Sequence, residues 1–148
     1  RAIEPADPVV VAGVDGAARG GGVELALACD LRVATPEATF AESGVTLGLL
    51  GAWGGTARLP QVVGRGEAMD LALSGRVVDA AEAKTMGLVS RVVDDPIAVA
   101  EEIAANDAEA LRVLTDRMRD TAPREVKEDR EAQAFADLIE AFERPESG

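Results

Sequence analysis

The segment from residue 9 to residue 30 limits the fold of this 148-residue chain more than any other. It opens with a short apolar run, mostly valine, that ends at Asp15-Gly16. This pattern is typical of a buried strand that closes in a turn. Three consecutive glycines at 20–22 then precede a helix-prone apolar stretch that ends at Asp30. The segment therefore predicts a strand, a turn and a helix in succession, as in an α/β fold.

The middle of the chain continues this alternation of short strands and helices. A turn at 35–37 lies between two predicted strands. Asp79, with Glu82 three residues later, has the form of a helix N-cap, and Gly87 has the form of the corresponding stop. The predicted elements are strands at 31–34, 38–41 and 89–93, helices at 56–63 and 67–74, and the helix that Asp79 opens.

The chain after Asp94 is helical in pattern throughout. Two apolar stripes at helical spacing are separated by Pro123, and we expect them to form core or subunit contacts. The chain is therefore predicted to divide into an α/β core portion at 1–94 and a helical region at 95–148. The stripes consist of Leu111, Leu114 and Met118, and of Phe135, Leu138, Ile139 and Phe142.

The side chains that are missing restrict the chemistry before any motif is considered. The chain has no histidine and no tyrosine, and its single cysteine excludes an internal disulfide. Nucleophile systems that pair serine or cysteine with histidine cannot be assembled from these residues. A zinc site of His and Cys ligands is excluded as well, and no metal site is predicted. Proton transfer therefore depends on carboxylates, or on one of the two lysines, Lys84 and Lys127.

Charge and hydropathy indicate a compartment and exclude some partners. The net charge of −12 argues against nucleic acid, because phosphate binding needs a basic surface. No apolar run approaches the roughly 20 residues of a membrane span, and no secretory signal opens the chain. We expect a soluble cytoplasmic protein whose acidic exterior suits a high-salt interior.

The glycines at 20–22 and Glu24 form the first candidate site. The first N–H groups of a helix lack internal partners, and the helix dipole favours negative charge at that end. A carbonyl oxygen held there would be stabilised as it gains charge, and glycine lets a ligand approach the backbone closely. Glu24, one turn into the helix, could reach towards the same ligand as a proton-transfer group. The alternative is a tight packing turn in which Glu24 only complements the dipole.

A second glycine-rich stretch lies between Gly44 and Gly55, with five glycines in twelve residues. Such a stretch is a loop whose backbone approaches something closely, or a set of turns. Trp53, the only tryptophan, lies within it. Its indole could be a wall of a ligand pocket or a partly buried anchor for the loop.

Several separated motifs, in one order, resemble the enoyl-CoA hydratase/isomerase (crotonase) superfamily. The resemblance is close over about residues 7–93 and loose over the helical tail. It implies the C-terminal part of a crotonase-like ββα spiral, followed by a helical tail that mediates assembly into homotrimers or dimers of trimers. The N-terminal part of the family's fold would lie outside this chain. The motifs are DPVVVAGVDGAARGGGVELALACD at 7–30, Phe40, Leu47-Gly48-Leu49, GGTARLP at 54–60, Val63-Gly64 and Gly87-Leu88-Val89.

For function, the resemblance implies that the chain stabilises the enolate of a thioester. An acyl-CoA would be the substrate, with no separate cofactor, and hydration of a 2-enoyl-CoA would be the reaction. Gly21 falls on the position of one of two backbone donors to the thioester oxygen, and the other donor lies on a loop upstream of this chain. Glu24 falls on the position of a catalytic glutamate that handles the water. The residues expected to contact substrate are Gly20, Gly22, Gly44 and Trp53.

The chain departs from the hydratase pattern at Gly44, where the hydratases carry a second glutamate four residues after the phenylalanine matched by Phe40. Glu42 is a candidate catalytic replacement, because on a strand it would point to the same side as Gly44, about 6.6 Å away. The alternative for Glu42 is a surface carboxylate. A water or small anion beside Gly44 is another solution, as in the superfamily's dihydroxynaphthoyl-CoA synthases. A non-catalytic acyl-CoA-binding or assembly subunit remains the alternative to an enzyme.

Overall fold

The fold is given by a computed structural model, which describes residue 3 and residues 8–143. These residues form two compact units. Residue 3 and residues 10–103 belong to the first, and residues 8–9 and 104–143 belong to the second. The division into functional portions at residue 94 stays a prediction.

The first unit alternates short strands with helices, which confirms the predicted α/β class. In chain order its elements are β1 (Val11–Val14), β2 (Ala17–Arg19), α1 (Gly21–Leu27), β3 (Leu31–Ala34), β4 (Thr39–Ala41), a 3₁₀ helix (Ser43–Leu47), α2 (Gly55–Val63), α3 (Arg65–Ser74), β5 (Val78–Asp79), α4 (Ala80–Thr85), β6 (Arg91–Val92) and α5 (Pro96–Ala104), of which the last residue falls in the second unit.

Local sequence explains where several of these elements begin and end. Oδ1 of Asp79 accepts a hydrogen bond from the N–H of Glu82 at 2.8 Å, which confirms the predicted N-cap of α4. Gly87 lies just beyond that helix with φ 82°, as a stop signal requires. Strand β3 occupies the residues predicted for it, whereas β2 and β5 are not predicted by the pattern. They have three and two residues, too few to show an alternation.

The strands form two sheets of three strands each within the described residues. One has the order β1-β3-β6 and is parallel, and the other has the order β2-β4-β5, in which only β4 and β5 are antiparallel. The turn after β3 stacks on the turn after β1. The N–H of Thr35 donates to the carbonyl of Val14 at 2.9 Å, and its hydroxyl donates to Asp15, 20 residues earlier, at 2.9 Å. Successive strand–turn–strand units therefore stack as in a ββα spiral.

The parallel pairing of β2 with β4 brings the segments that follow them to one edge of their sheet. Arg19 is paired with Ala41, and the N–H of Gly20 donates to the carbonyl of Ala41 at 2.9 Å. Helix α1 begins directly after β2, and Glu42 directly follows β4. Both candidate catalytic carboxylates therefore come from the carboxyl ends of neighbouring strands, where α/β proteins commonly bind ligands.

An apolar core fixes α1 and α2 against this sheet. Phe40 of β4 is 2% exposed and belongs to the same buried cluster as Val23 and Leu27 of α1 and Leu59 of α2. Burial of each such side chain contributes about 1.5–3 kcal/mol to folding. The glycine-rich start of α1 is thus attached to a rigid scaffold.

The described part of the second unit consists mainly of two helices, α6 (Ala108–Arg119) and α7 (Arg124–Glu143). Asp107 caps α6 by accepting a hydrogen bond from the N–H of Ala110 at 2.8 Å. The predicted break at Pro123 is confirmed, because α7 begins at the next residue. Most of the stripe side chains are exposed, so they form no core within the described chain, and a subunit contact stays a prediction. The exposed members are Leu114, Met118, Phe135, Ile139 and Phe142.

Candidate active site

The start of α1 is a group of glycines at 20–22, which we call the glycine mouth. Gly20 has φ 45°, in the left-handed region that favours glycine. Its carbonyl accepts a hydrogen bond from the N–H of Glu24 at 3.0 Å, and the helix begins at Gly21. The N–H of Gly21 lies in the first turn, where the helix itself supplies no acceptor. The structure thus places Gly21 at the first position of α1, and its role as an oxyanion donor stays a prediction.

Glu24 is buried and is held by the backbone of the second glycine-rich stretch. The residue is only 3% exposed. Its Oε1 accepts hydrogen bonds from the N–H of Trp53 at 3.1 Å and from the N–H of Gly55 at 2.8 Å. A Cβ on Gly55 would lie 2.8 Å from the same oxygen, and a Cβ on Gly51 would overlap it. The loop therefore approaches Glu24 more closely than any other residue type would allow.

The indole of Trp53 lies against the glycine mouth. A Cβ built on Gly21 would lie 2.9 Å from Cζ3 and 3.1 Å from Cε3 of the ring, so a side chain at 21 would clash with it. The tryptophan is nevertheless 67% exposed. The interpretation of Trp53 as a partly buried anchor is therefore wrong. The loop is anchored by its main chain, while the exposed ring covers one side of Gly21.

Glu42 is buried as well, with 9% of its surface exposed. Its Oε1 has no hydrogen-bond partner among the described residues. Burial, together with the nearby charge of Glu24, raises the pKa of Glu42 from 4.5 to about 7. The alternative that Glu42 is a surface carboxylate is therefore wrong.

Glu42 does not lie on a strand, which corrects the geometry predicted for it. Strand β4 ends at Ala41, and Glu42, with φ −90° and ψ 74°, precedes the 3₁₀ helix. Gly48, with φ 69°, ends this helix, and the N–H of Leu49 donates to the carbonyl of Gly44 at 2.9 Å. The alternation of side chains along a strand therefore does not relate Glu42 to Gly44. Because residues 43–47 form this 3₁₀ helix, the second glycine-rich stretch begins as a helical turn and not as a loop.

A cavity of about 330 Å³ opens beside Glu42. Glu42 and Gly44 line it, as do Gly51 and Gly55, the two glycines that contact Glu24. The two carboxylates therefore adjoin the same region of the protein. Most of the wall is apolar and includes Val45, Leu49, Leu50, Leu59, Met69 and Leu73.

Gly44 is closely backed by main chain. A Cβ at this position would lie 3.0 Å from the carbonyl oxygen of Leu49 and 3.3 Å from its carbonyl carbon. Because these atoms belong to the backbone, a glutamate at 44 would require the loop to shift by a few tenths of an ångström. The loop has packed onto the place that a side chain would otherwise need.

The structure brings most of the predicted site residues together in two groups. Glu24, Gly21 and Trp53 form one, and Glu42 and Gly44 form the other. Gly22 is exposed, and a Cβ there would meet only Ala18 at 3.8 Å, an ordinary packing distance. Residue patterns did not identify Gly51 and Gly55 individually as the residues around Glu24. Their only signal was the density of glycines, which indicated a close backbone approach without showing to what.

The raised pKa of Glu42 predicts a pH-dependent loss of stability. The folded protein binds this proton more tightly than the unfolded chain does, so the free energy of unfolding falls as pH rises from 4.5 to about 7 and levels off above that. Glu42→Gln removes this contribution. We expect the difference in stability between the variant and the parent protein to grow by about 2 kcal/mol in favour of the variant between pH 5 and pH 8.

Urea denaturation at several pH values between 5 and 8 measures this difference. Glu37→Gln, at an exposed glutamate on the turn after β3, is the matched control and should keep the parent pH dependence. The prediction would be contradicted if the free energies of unfolding of Glu42→Gln and of the parent protein differed by the same amount at every pH.

Neither a metal centre nor a membrane span is found in the part of the chain that the structure describes. Over those residues, no group of three or more His, Cys, Asp or Glu side chains is placed to hold a metal ion. None of the described helices is both long and apolar enough to cross a membrane.

Comparison with known proteins identifies the family. The family model described as enoyl-CoA hydratase/isomerase matches residues 1–147, and the chain belongs to this family. A crotonyl-CoA hydratase of Syntrophomonas wolfei is 46% identical over 93 residues, which are 63% of this chain and 36% of that protein.

Solved structures confirm the crotonase-like fold. An enoyl-CoA hydratase from Bacillus anthracis has a TM-score of 0.87 at 36% identity, covering 93% of this chain and 57% of that one. A relative from Thermobifida fusca YX, with a TM-score of 0.83 at 32% identity and the same coverage, was solved in complex with CoA. The chain spans 46% and 40% of the length of two curated relatives that it matches.

Proposed function

We propose that this chain carries the acid/base group and one oxyanion donor of an enzyme that adds water to 2-enoyl-CoA thioesters. The observation that carries the proposal is the position of Glu24. This buried carboxylate belongs to the first turn of the helix that begins at Gly21. The backbone N–H groups of Trp53 and Gly55 donate hydrogen bonds that fix it in place. The crotonyl-CoA hydratase and the CoA complex among the relatives support the choice of substrate.

The amide of Gly21 acts on the thioester oxygen. When water adds to the double bond, negative charge moves onto this oxygen, and a fixed N–H donor stabilises the resulting enolate. One such donor typically contributes about 3–4 kcal/mol to the transition state. The absence of side chains at Gly20 and Gly22 leaves the backbone open to the thioester. Trp53, which lies against Gly21, bounds the space that the substrate occupies on that side.

Glu24 acts on the water. Two N–H groups donate to its Oε1 and fix the carboxylate. In the proposed step its second oxygen accepts a proton. As the oxygen of the water bonds to the β-carbon, its proton passes to Glu24. The fixed position of the Glu24 carboxylate matters because a general base has to lie within hydrogen-bond distance of the proton that it removes.

A non-catalytic acyl-CoA-binding subunit is the second candidate, favoured by Gly44. The close approach of the Leu49 backbone shows that a glutamate does not simply fit at this position. A site without that group could bind a thioester and turn it over poorly. A different crotonase-type reaction, such as that of a dihydroxynaphthoyl-CoA synthase, is the corresponding alternative among enzymes.

A crotonyl-CoA assay with the protein expressed from its complete coding sequence tests the proposal. We expect the absorbance of the conjugated thioester to fall as water adds, with saturation kinetics. Binding is followed separately by the fluorescence of Trp53, with Trp53→Phe as the control for that signal. Binding without turnover would favour the second candidate, and the absence of both would contradict the two together.

We also propose that the protein works in the cytoplasm as a homotrimer or a dimer of trimers with acyl-CoA as its small-molecule partner. The exposed apolar side chains of α6 and α7, including Leu114 and Phe135, support a subunit contact. The net charge of −12 supports a surface adapted to high salt.

A further inference from the structure

Glu42 is a buried carboxylate that the proposed role of Glu24 leaves unexplained. It is 9% exposed, and its Oε1 has no hydrogen-bond partner among the described residues. Burying an unpaired carboxyl oxygen typically costs folding energy unless a cation or donors compensate. The group therefore does not serve the stability of the fold, and its position needs another reason.

The surroundings of Glu42 suggest what that reason is. The residue lies at the same sheet edge as the glycine mouth, because β2 and β4 are paired in parallel and Gly20 is hydrogen-bonded to Ala41. It lines the apolar cavity of about 330 Å³, and the charge of Glu24 acts on it. Glu42 and the two glycines that contact Glu24, Gly51 and Gly55, thus line one ligand-sized space.

We propose that Glu42 is the second proton-transfer group of this site and protonates the α-carbon of the acyl-CoA. The assignment rests on the proposed function and deepens it. It moves the second carboxylate from the position of Gly44 to the residue that directly follows β4. The packing of the Leu49 backbone onto Gly44 fits this arrangement, since the loop closes over 44 and leaves Glu42 beside the cavity.

The reaction balances with these two groups. The oxygen of the water bonds to the β-carbon and one of its protons goes to Glu24. The electron pair of the carbon–carbon double bond shifts to the bond between the α-carbon and the carbonyl carbon, and the π pair of the carbonyl moves onto the thioester carbonyl oxygen near Gly21. The enolate then takes the proton of Glu42 at the α-carbon, and the thioester carbonyl forms again. Exchange with solvent returns the proton from Glu24 to Glu42, so that the net reaction consumes one water.

The environments of the two carboxylates fit these opposite roles. Two N–H groups donate to Glu24, interactions that a negative carboxylate strengthens. Glu42 lines the same cavity as the apolar residues Leu59 and Met69, and burial, with the charge of Glu24, raises its pKa to about 7. Glu24 is the charged group that acts on it, and the cavity-facing residues of α2 and α3 carry no ionisable side chain. Pairs of carboxyl groups whose environments differ in this way commonly divide into an acid and a base.

Exchange of the α-protons of butyryl-CoA in deuterium oxide tests the assignment directly. This saturated thioester cannot be hydrated, so exchange reports only proton transfer at the α-carbon. We expect the parent protein to exchange these protons and Glu42→Gln to do so about 10²- to 10⁴-fold more slowly. Glu42→Asp should retain part of the rate, and Glu37→Gln should retain all of it. The same variants are assayed for crotonyl-CoA hydration, where Glu42→Gln should lower kcat and leave KM within a small factor.

The outcomes separate the two proposals. Exchange by Glu42→Gln at the parent rate, with unfolding by urea showing a folded variant, overturns the role of Glu42. Exchange by the parent protein that depends on Glu42, without hydration of crotonyl-CoA, overturns the proposed reaction and supports Glu42. A parent protein that neither hydrates nor exchanges overturns both.

Discussion

Replacement of Glu24 by glutamine is expected to lower kcat for crotonyl-CoA hydration by about 10²- to 10⁴-fold. Glutamine has the size of glutamate, and its carbonyl oxygen can accept the same hydrogen bonds from Trp53 and Gly55. The variant should therefore fold normally and bind the thioester, while losing the group that accepts the proton of the water. The loss is measured as kcat at saturating crotonyl-CoA.

The exposed Glu37 provides the control, because Glu37→Gln makes the same chemical change on the turn after β3. Its kcat should equal that of the parent protein. If Glu24→Gln kept full turnover, Glu24 would be a structural group that only secures the loop, and the proposed mechanism would fail.

Gly55→Ala is expected to reduce turnover by about 10²-fold without touching an ionisable group. The new Cβ would lie 2.8 Å from Oε1 and 3.1 Å from Cγ of Glu24, so the carboxylate has to move. The crowding should also lower the free energy of unfolding by about 1–3 kcal/mol. Both quantities are measured on the same preparation, by crotonyl-CoA hydration and by urea unfolding.

Gly66→Ala is the matched control for that substitution. Gly66 also lies in a helix, α3, and a Cβ there would meet nothing within 4 Å. We expect unchanged turnover and a gain in stability of about 0.5–1 kcal/mol, because alanine favours the helix. If Gly55→Ala and Gly66→Ala changed turnover equally, the effect of Gly55→Ala would not come from crowding of Glu24.

Much of the first unit could be predicted because its signals are local. The valine-rich run before Asp15, the cap formed by Asp79 and the glycine at 87 each act through neighbouring residues, and the structure has the corresponding elements. The two missed strands owe their existence to pairing with distant residues, as in the match of Ala17 with Thr39. A strand of two or three residues carries too short a pattern to reveal that partner.

The candidate site was predictable only in part. The sequence identified Glu24 because it follows a glycine run at a helix start, and it identified Glu42 as a carboxylate near a departure from the family pattern. It could not show that the N–H groups holding Glu24 come from residues 29 and 31 positions away. Nor could it show that the chain turns into a 3₁₀ helix after Ala41, because the glycines at 44 and 48 indicate turns without specifying their geometry.

The attachment of Glu24 to the main chain of the loop separates two tasks: holding the carboxylate in place and shaping the space beside it. The hydrogen bond from residue 53 to Glu24 comes from the backbone N–H and does not involve the side chain. The anchoring of Glu24 therefore does not depend on the indole at position 53. Under the proposed function, a library of substitutions at 53 would alter the shape presented to different thioesters while the carboxylate of Glu24 stayed fixed. Positions 51 and 55 offer no such freedom, since any side chain there meets Glu24. Position 53 can therefore vary and so change which thioesters would be selected, whereas the nearby positions 51 and 55 have to stay glycine.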